Sequence, residues 1–147
     1  DARTGKRLWH FQMVHHDLWD YDNCAAPQLT TIRRGGKTID VVAQAGKTGF
    51  LYVFDRVTGQ PIWPIEERPV PKSDIPGEQA WPTQPYPTAP PPFAAQTLTP
   101  EDVNPYVLTP AEQEEWRKRI ANARNQGLFT PPALSVASVR AKRAIAT

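Results

Sequence analysis

A nine-residue pattern occurs twice in this chain and limits its possible folds more than any other feature. Residues 1–9 read D-A-R-T-G-K-R-L-W and residues 55–63 read D-R-V-T-G-Q-P-I-W, so D-x-x-T-G-x-x-[L/I]-W returns 54 positions further on. A Thr-Gly pair can reverse the chain between two strands, and a Trp four residues after the Gly can pack flat against the next repeat. Periods of about 40–50 residues with strands and a fixed Trp are typical of β-propeller blades.

The sequence between the two copies predicts strands. Val, Ile, Thr, Tyr and Phe favour strands, and four segments are rich in them. These are residues 7–13, 28–32, 37–43 and 50–56. Gly35 and Gly36 can take the positive φ values that a tight hairpin turn requires. One period therefore predicts a four-stranded blade, and the long link over residues 14–27 is expected at one end of its sheet, where functional loops gather.

The composition changes after the second copy, because 12 of the 17 prolines lie within residues 61–100. Proline cannot donate to a β-ladder, so regular sheet is not expected in this segment. The three aromatic residues Trp81, Tyr86 and Phe93 make an ordered excursion over a neighbouring surface as consistent with the sequence as a disordered linker. The segment is therefore treated as a Pro-rich excursion.

Capping signals after this segment predict one surface helix. Thr109 suits the N-cap, Pro110 the first helical position, and Glu112 completes a capping box, while Gly127 suits the end. We expect a helix over residues 110–126 with a narrow apolar side, and a shorter turn near Thr99. The chain then divides into a blade region (residues 1–71), the Pro-rich excursion (72–108), the surface helix (109–127) and a divergent tail (128–147).

Charge and composition exclude some classes of protein. The net charge is only +2, and the main basic cluster, residues 140–143, has no interleaved aromatic residues, so nucleic-acid binding is not expected. No window approaches the ~18 apolar residues of a membrane helix, and the chain itself should not span a bilayer. Because no initiator Met or leader precedes Asp1, we expect the N-terminus of the full protein to be missing. Cys24, the only cysteine, is interpreted as a small buried apolar side chain.

Acids, imidazoles and indoles crowd into residues 9–22. In an extended segment, Asp20 and Asp22 would lie on one side and Asp17 on the other. Two carboxylates on one side can provide a general base or an oxygen site for a hard cation, although a loop with three Asp can also be merely solvated. Adjacent imidazoles in a strand cannot easily face one ion, so we interpret His15 and His16 as structural groups that orient the acids.

Lys47 lies between two glycines in residues 45–49, A-G-K-T-G. A phosphate-binding loop would need a glycine at position 41, where Val41 stands, so that interpretation fails. Lys47 is then either a turn residue or a charge presented to an anionic ligand, and the residues alone leave both open.

Together these segments resemble the pyrroloquinoline quinone (PQQ) dependent dehydrogenases, which are eight-bladed β-propellers with tryptophan-docking repeats. The resemblance rests on the repeated pattern, on residues 11–22 (F-Q-M-V-H-H-D-L-W-D-Y-D), on residues 45–56 and on residues 127–132 (G-L-F-T-P-P). It implies a mainly β fold, here a partial propeller of about one to two blades with the excursion and one surface helix. It fails over residues 133–147, where a truncated or frame-shifted reading is expected.

The resemblance also implies roles for particular residues. Asp20 would be the catalytic base that takes the substrate hydroxyl proton while hydride passes to the quinone C5 carbonyl. Lys47, 27 positions later, would contact the orthoquinone edge of PQQ, and Asp22 would add a metal ligand, as in lanthanide-using alcohol dehydrogenase relatives. A metal ion, Ca²⁺ or another, and Lys47 would polarise the quinone.

The double histidine resembles the glucose, polyol and quinate branch, so the first hypothesis is a fragment of a periplasmic dehydrogenase acting on a sugar or polyol. Its electron acceptor would be a quinone or cytochrome, and any membrane contact would come through missing parts. The alternatives are a PQQ alcohol dehydrogenase, a non-catalytic propeller-repeat binding module, and a divalent metal-binding β-protein unrelated to quinones. A partial propeller leaves no closed axial site, so the chain alone is expected to be inactive.

Overall fold

The main sheet is antiparallel and has three strands in the order β1-β2-β3. The structure is a computed structural model that describes residues 1–132, and the predicted tail beyond residue 132 lies outside them. The strands are β1 (Gln28–Arg34), β2 (Lys37–Ala45) and β3 (Leu51–Asp55). Arg34 pairs with Lys37 across a turn in which Gly35 and Gly36 have φ values of 55° and 74°. Three of the four predicted strands and the glycine hairpin turn are therefore confirmed.

The predicted strand over residues 7–13 is wrong, because this segment joins no ladder among the described residues. Its alternation of apolar side chains is nevertheless used for packing. Trp9, Phe11 and Met13 all pack against the core cluster, while His10 and Gln12 between them are exposed. A period of two thus reports one buried face of an extended segment, and it does not by itself require a hydrogen-bonded partner.

A second sheet lies where regular sheet was not expected, and that expectation is corrected. It pairs β4 (Ile65–Pro69) with β5 (Thr83–Pro87) in an antiparallel ladder. In a two-stranded sheet both strands are edges, so every other backbone N–H faces away from the ladder and proline can take those positions. Pro85, opposite Glu67, is one of them.

The core lies between the two sheets and is mostly aromatic. Tyr52 and Phe54 of β3 and the neighbouring Phe50 are at most 2% exposed, and Phe129 is 1% exposed. The ring of Tyr86, from β5, lies 5.3 Å from that of Phe50, so the Pro-rich segment is docked on the main sheet. Burial of large aromatic rings is the main stabilising contribution here, with favourable tilted and edge contacts added.

The two copies of the repeated pattern meet at Trp9 and Gly59. A Cβ atom built on Gly59 would lie 2.5 Å from the indole of Trp9, so only glycine allows this approach. The indole Nε1 also donates to the carbonyl of Arg56 at 3.1 Å. The Trp of the first copy therefore packs directly on the Thr-Gly turn of the second.

Helix α1 (Pro110–Asn122) begins as predicted, with Pro110 at its first position, and ends four residues early. Thr109 and Glu112 form the capping box, and none of the helix residues is buried, as expected for a surface helix. The helix ends at Ala123, whose backbone is extended, and the next two residues, Arg124 and Asn125, donate to the carbonyls of Lys72 and Leu98. A short 3₁₀ turn (Pro100–Asp102) follows Thr99, as predicted. Within residues 1–132, no helix has the length and apolar character needed to cross a membrane.

Candidate active site

The three residues nominated from the sequence come together at one point. Residues 13–22, called the acid loop here, end beside the turn that joins β2 to β3. From that turn the ammonium Nζ of Lys47 donates to Asp22 Oδ1 at 2.7 Å and to Asp20 Oδ2 at 3.2 Å. A Cβ on Gly46 would lie only 2.9 Å from Asn23 Oδ1, so the small residue before Lys47 lets the turn approach the loop.

This ion pair sets the charges of the site. Hydrogen bonding with Lys47, and then with Asp20, lowers the pKa of Asp22 below its ordinary value. The same contacts, with Asp22 first and Asp20 second, raise the pKa of Lys47. At neutral pH the site therefore holds an ammonium beside an ionised Asp22 carboxylate. The Asp20 side chain is 87% exposed, against 35% for Lys47, so Asp20 is the more accessible partner.

Asp20 is held in a conformation that is unusual for a residue other than glycine, with φ 64°. Its two neighbours fix it there through their side chains. Trp19 Nε1 donates to the carbonyl of Thr130 at 2.8 Å, and Tyr21 Oη donates to that of Leu128 at 3.0 Å. A left-handed backbone at a loop residue persists only when the surroundings determine it, and these two bonds contribute to that.

Aromatic packing reinforces these two attachments. The rings of Trp19 and Tyr21 are stacked 6.0 Å apart, and both meet the buried ring of Phe129 edge-on, at 5.2 and 5.8 Å. Burial, and then the charge of Asp17, raises the pKa of Tyr21, which keeps its hydroxyl protonated as a donor. Residues 127–130 are therefore a structural support of the acid loop.

Asp17 has a different role from the other two acids. Its carboxylate accepts from the backbone N–H of Trp19 at 2.9 Å and of Tyr21 at 2.6 Å. The predicted separation is seen, with Asp20 and Asp22 on Lys47 and Asp17 turned away. Its cause is not strand alternation, because Asp20 is not extended. Asp17 closes the loop on itself.

The histidines, interpreted from the sequence as groups that orient the acids, have their contacts toward the Pro-rich segment. His15 Nε2 contacts Glu67 Oε1 at 2.9 Å, and its ring lies 5.9 Å from that of Trp81. His16, with φ 41°, is exposed. Together with Gln12 and Trp81 they line an open cavity of about 290 Å³. The imidazoles therefore face the Pro-rich segment, because its second sheet lies against the start of the loop.

Cys24 is exposed, which overturns its interpretation as a buried apolar side chain. It lies just past the acid loop, in an irregular segment before β1 where the neighbouring residues are exposed as well. The expectation from composition fails because the local chain, unlike a strand or helix, offers no buried face at this position.

The site offers part of a cation site. Carboxylate oxygens suit Ca²⁺, but that ion takes about 6–8 oxygen ligands, whereas Asp20 and Asp22 supply two side chains with an ammonium between them. Among residues 1–132, no cluster of three or more His, Cys, Asp or Glu side chains has the arrangement of a metal centre. These residues do not by themselves form a calcium site.

Sequence reasoning missed the residues that support the loop. Gln84 is fully buried and makes two bonds to the backbone of His15, at 2.8 and 2.6 Å, yet its sequence context is only a proline-rich run. Trp19 and Tyr21 lie in the segment 11–22 that carries the resemblance, but no local pattern indicates their partners. Their partners lie in residues 127–130, where the resemblance pointed to a shared motif but not to its contact.

The sequence of this chain is similar to those of a known protein family and of several characterised relatives. The sequence profile of the family described as PQQ glucose/ethanol/alcohol dehydrogenase, beta-propeller domain, matches residues 1–143. The chain is 39% identical to the quinate/shikimate dehydrogenase (quinone) of Acinetobacter baylyi over 137 residues, covering 92% of this chain and 17% of the relative. It is 35% identical to the quinoprotein glucose dehydrogenase of Escherichia coli over 132 residues, covering 90% and 16%.

A third relative is the glycerol dehydrogenase large subunit of Gluconobacter thailandicus, at 36% identity over 136 residues, covering 91% of this chain and 18% of the relative. The chain thus spans about one sixth of the length of these relatives. No solved structure matches it. The profile match over nearly the whole chain, with the relatives above 30% identity, shows that this chain belongs to the β-propeller domain family of the PQQ-dependent dehydrogenases.

Proposed function

We propose that this chain is part of a quinoprotein dehydrogenase that oxidises a hydroxyl group of a sugar or polyol with PQQ. The observation that carries the proposal is the meeting of Asp20 and Asp22 with Lys47, which lies 27 and 25 positions after them in sequence. It places an acceptor of protons and a fixed positive charge within 3.2 Å of each other, in a family whose named members are oxidoreductases.

Asp20 suits the role of general base. Its carboxylate is exposed, so a substrate hydroxyl can reach it, while its backbone is fixed by the aromatic residues on either side. A general base must be within hydrogen-bond reach of the proton it takes, and a fixed backbone limits the positions that the carboxylate can adopt. Asp20 would accept the hydroxyl proton as the substrate loses hydride.

Lys47 suits the role of the group that holds the cofactor. Its ammonium is a compact positive charge with three donors, and in this structure the carboxylates of Asp20 and Asp22 occupy two of them. Donors of this kind fit the oxygen atoms of a quinone, so the residue is compatible with PQQ. When bound, PQQ supplies the carbonyl that accepts hydride. Lys47 would keep positive charge where negative charge develops.

The assignment of Ca²⁺, or another metal ion, stays a proposal in which Asp22 contributes one ligand. Two carboxylates are fewer than such an ion requires, and the remaining ligands would come from elsewhere in the full protein. We likewise propose that the parent is an eight-bladed propeller with tryptophan-docking repeats, acts in the periplasm and passes electrons to a quinone or cytochrome. Relatives named for glucose, quinate and glycerol support a polyhydroxylated substrate.

Substitution of Asp20 in the full-length protein tests the proposal. Asp20→Asn keeps the size of the side chain but removes its capacity to accept a proton, so we expect turnover to fall by at least about 100-fold. PQQ should remain bound, because Lys47 is unchanged. Steady-state kinetics with glucose, quinate and glycerol, together with the absorbance of bound PQQ, would measure both.

Asp40→Asn is the matched control. Asp40 also carries an exposed carboxylate in an ion pair, with Arg56 at 2.8 Å, but on β2 and away from Lys47. This variant should retain turnover. If Asp20→Asn turned over as fast as the unchanged protein, Asp20 would not be the base, and the non-catalytic binding module would be favoured.

A further inference from the structure

The first residues of the acid loop lie on strand β5 of the Pro-rich segment. The side-chain amide of Gln84 makes two hydrogen bonds to the backbone of His15, as a neighbouring strand would. Gln84 Oε1 accepts from the backbone N–H of His15 at 2.8 Å, and Nε2 donates to the carbonyl of the same residue at 2.6 Å. Gln84 is 0% exposed, so these bonds are shielded from water and each polar group depends on the other.

The residues on either side of Gln84 extend this contact. Thr83 Oγ1 donates to Glu67 Oε2 at 2.7 Å, and the other oxygen of Glu67 contacts the ring of His15. On the other side, the hydroxyl of Tyr52 donates to the carbonyl of Pro85 at 2.8 Å and lies 3.4 Å from that of Met13. Three consecutive residues of β5 are therefore linked to residues 13–15.

Both unusual backbone conformations of the loop lie between two attachments. On one side is Gln84, which holds His15, and on the other are Trp19 and Tyr21, held by residues 127–130. Within this span His16 has φ 41° and Asp20 has φ 64°. Residues other than glycine avoid positive φ, so a loop released at one end would relax toward ordinary backbone angles.

We propose that Gln84 is a positioning residue that keeps the acid loop in the conformation presenting Asp20 to Lys47. Glu67 is its partner on the side chain of His15. The inference deepens the proposed function and rests on it only for the role of Asp20. The test measures the conformation of the acid loop in the chain without PQQ. The role of Gln84 and the catalytic role of Asp20 can therefore fail independently of each other.

Amide hydrogen exchange measured by NMR on Gln84→Ala tests the proposal. The amides of Trp19 and Tyr21, which donate to Asp17, report the loop, and the amides of β2 and β3 report the whole fold. We expect the loop amides to exchange at least about tenfold faster relative to those of β2 and β3. The amide–Hα coupling of His16 should also move away from its left-handed value.

The conservative variant Gln84→Glu separates positioning from mere packing. Its protonated carboxyl can both donate and accept, as the amide does, whereas the ionised form can only accept. Loop protection in this variant should therefore match the unchanged chain at low pH and be lost as pH rises. Gln113→Ala removes a remote amide that donates to the carbonyl of Leu108, and it should change neither group of amides.

The outcomes are distinct. Equal acceleration of loop and sheet amides in Gln84→Ala, or no change in either, would overturn the proposal. If Gln84→Ala does not fold, the same measurement on Glu67→Ala tests the proposal. The Glu67 side chain is half exposed, so its removal should leave the fold intact. Faster exchange confined to the loop would support the proposal, and unchanged exchange in Glu67→Ala would refute it.

Discussion

Gly59 shows how one missing side chain joins the two copies of the repeated pattern. The residue has φ 74°, and its open face is filled by the indole of Trp9, whose atoms would lie 2.5–2.9 Å from an added Cβ. The glycine therefore serves both the turn and the packing. Gly35 and Gly36, by contrast, have nothing within 4 Å of an added Cβ and serve only the turn conformation.

We predict that Gly59→Ala destabilises the chain by about 2–5 kcal/mol, because about 1–2 kcal/mol of backbone strain is added to an overpacking cost of about 1–3 kcal/mol. Gly77→Ala is a matched control, since Gly77 has φ 85° and nothing within 4 Å of an added Cβ. Gly77→Ala should lose only the part of the free energy of unfolding that comes from backbone strain. Urea unfolding of both variants gives the difference, and equal losses would mean that contact with Trp9 contributes nothing.

Helix α1 shows how well capping residues in the sequence specify where a helix begins. The capping box needs only Thr109 and Glu112, and both bonds form, with the Thr109 N–H donating to Glu112 Oε2 at 2.8 Å. The helix end was not predicted correctly, because Arg124 and Asn125 bond to residues far away in sequence. Likewise the second sheet was missed, because proline propensity is local whereas pairing of β4 with β5 is not.

We predict that acid weakens the start of helix α1. Hydrogen bonds from the Thr109 backbone, and then from its side chain, lower the pKa of Glu112. A lowered pKa means that this stabilisation is fully present above the ordinary Glu value and is lost as pH falls through the folded value. Amide exchange of the first helical turn, measured through this range, should show progressive loss of protection.

Two variants check the cause. Glu112→Gln should remove this pH dependence, and Thr109→Ala should destabilise the helix by about 1 kcal/mol at neutral pH. Thr97→Ala, an exposed threonine outside the helix, is the control and should change nothing. Unaltered pH dependence in Glu112→Gln would mean that another group is responsible.

At the scale of the whole molecule, the sequence was sufficient for the three strands of the main sheet, the hairpin turn and the helix start. It also identified the three residues that meet at the site, although their roles remain proposals. What could not be predicted is the support of that site. Gln84 and Glu67 act on His15 from 69 and 52 positions away, and no local pattern records such contacts.

We predict that the purified 147-residue chain, given PQQ and Ca²⁺, does not reduce a redox dye. At the candidate site, its described residues bring together one ammonium, from Lys47, and two carboxylates, from Asp20 and Asp22. These groups do not complete a site for PQQ and Ca²⁺. Dye reduction by the chain and by its full-length parent, loaded in the same way, would be compared. Sustained turnover by the chain alone would contradict the prediction.

The attachment of Trp19 and Tyr21 to residues 128–130 bears on how the protein is made. These bonds join positions 111 and 107 residues apart, among the most distant contacts of the chain. Contacts of long sequence separation form late, because the entropy of closing a large loop must be lost first. On the ribosome, Asp20 can acquire its final geometry only after residue 130 has emerged. Any nascent chain shorter than that would carry Asp20 and Asp22 without the attachments that hold the loop around them.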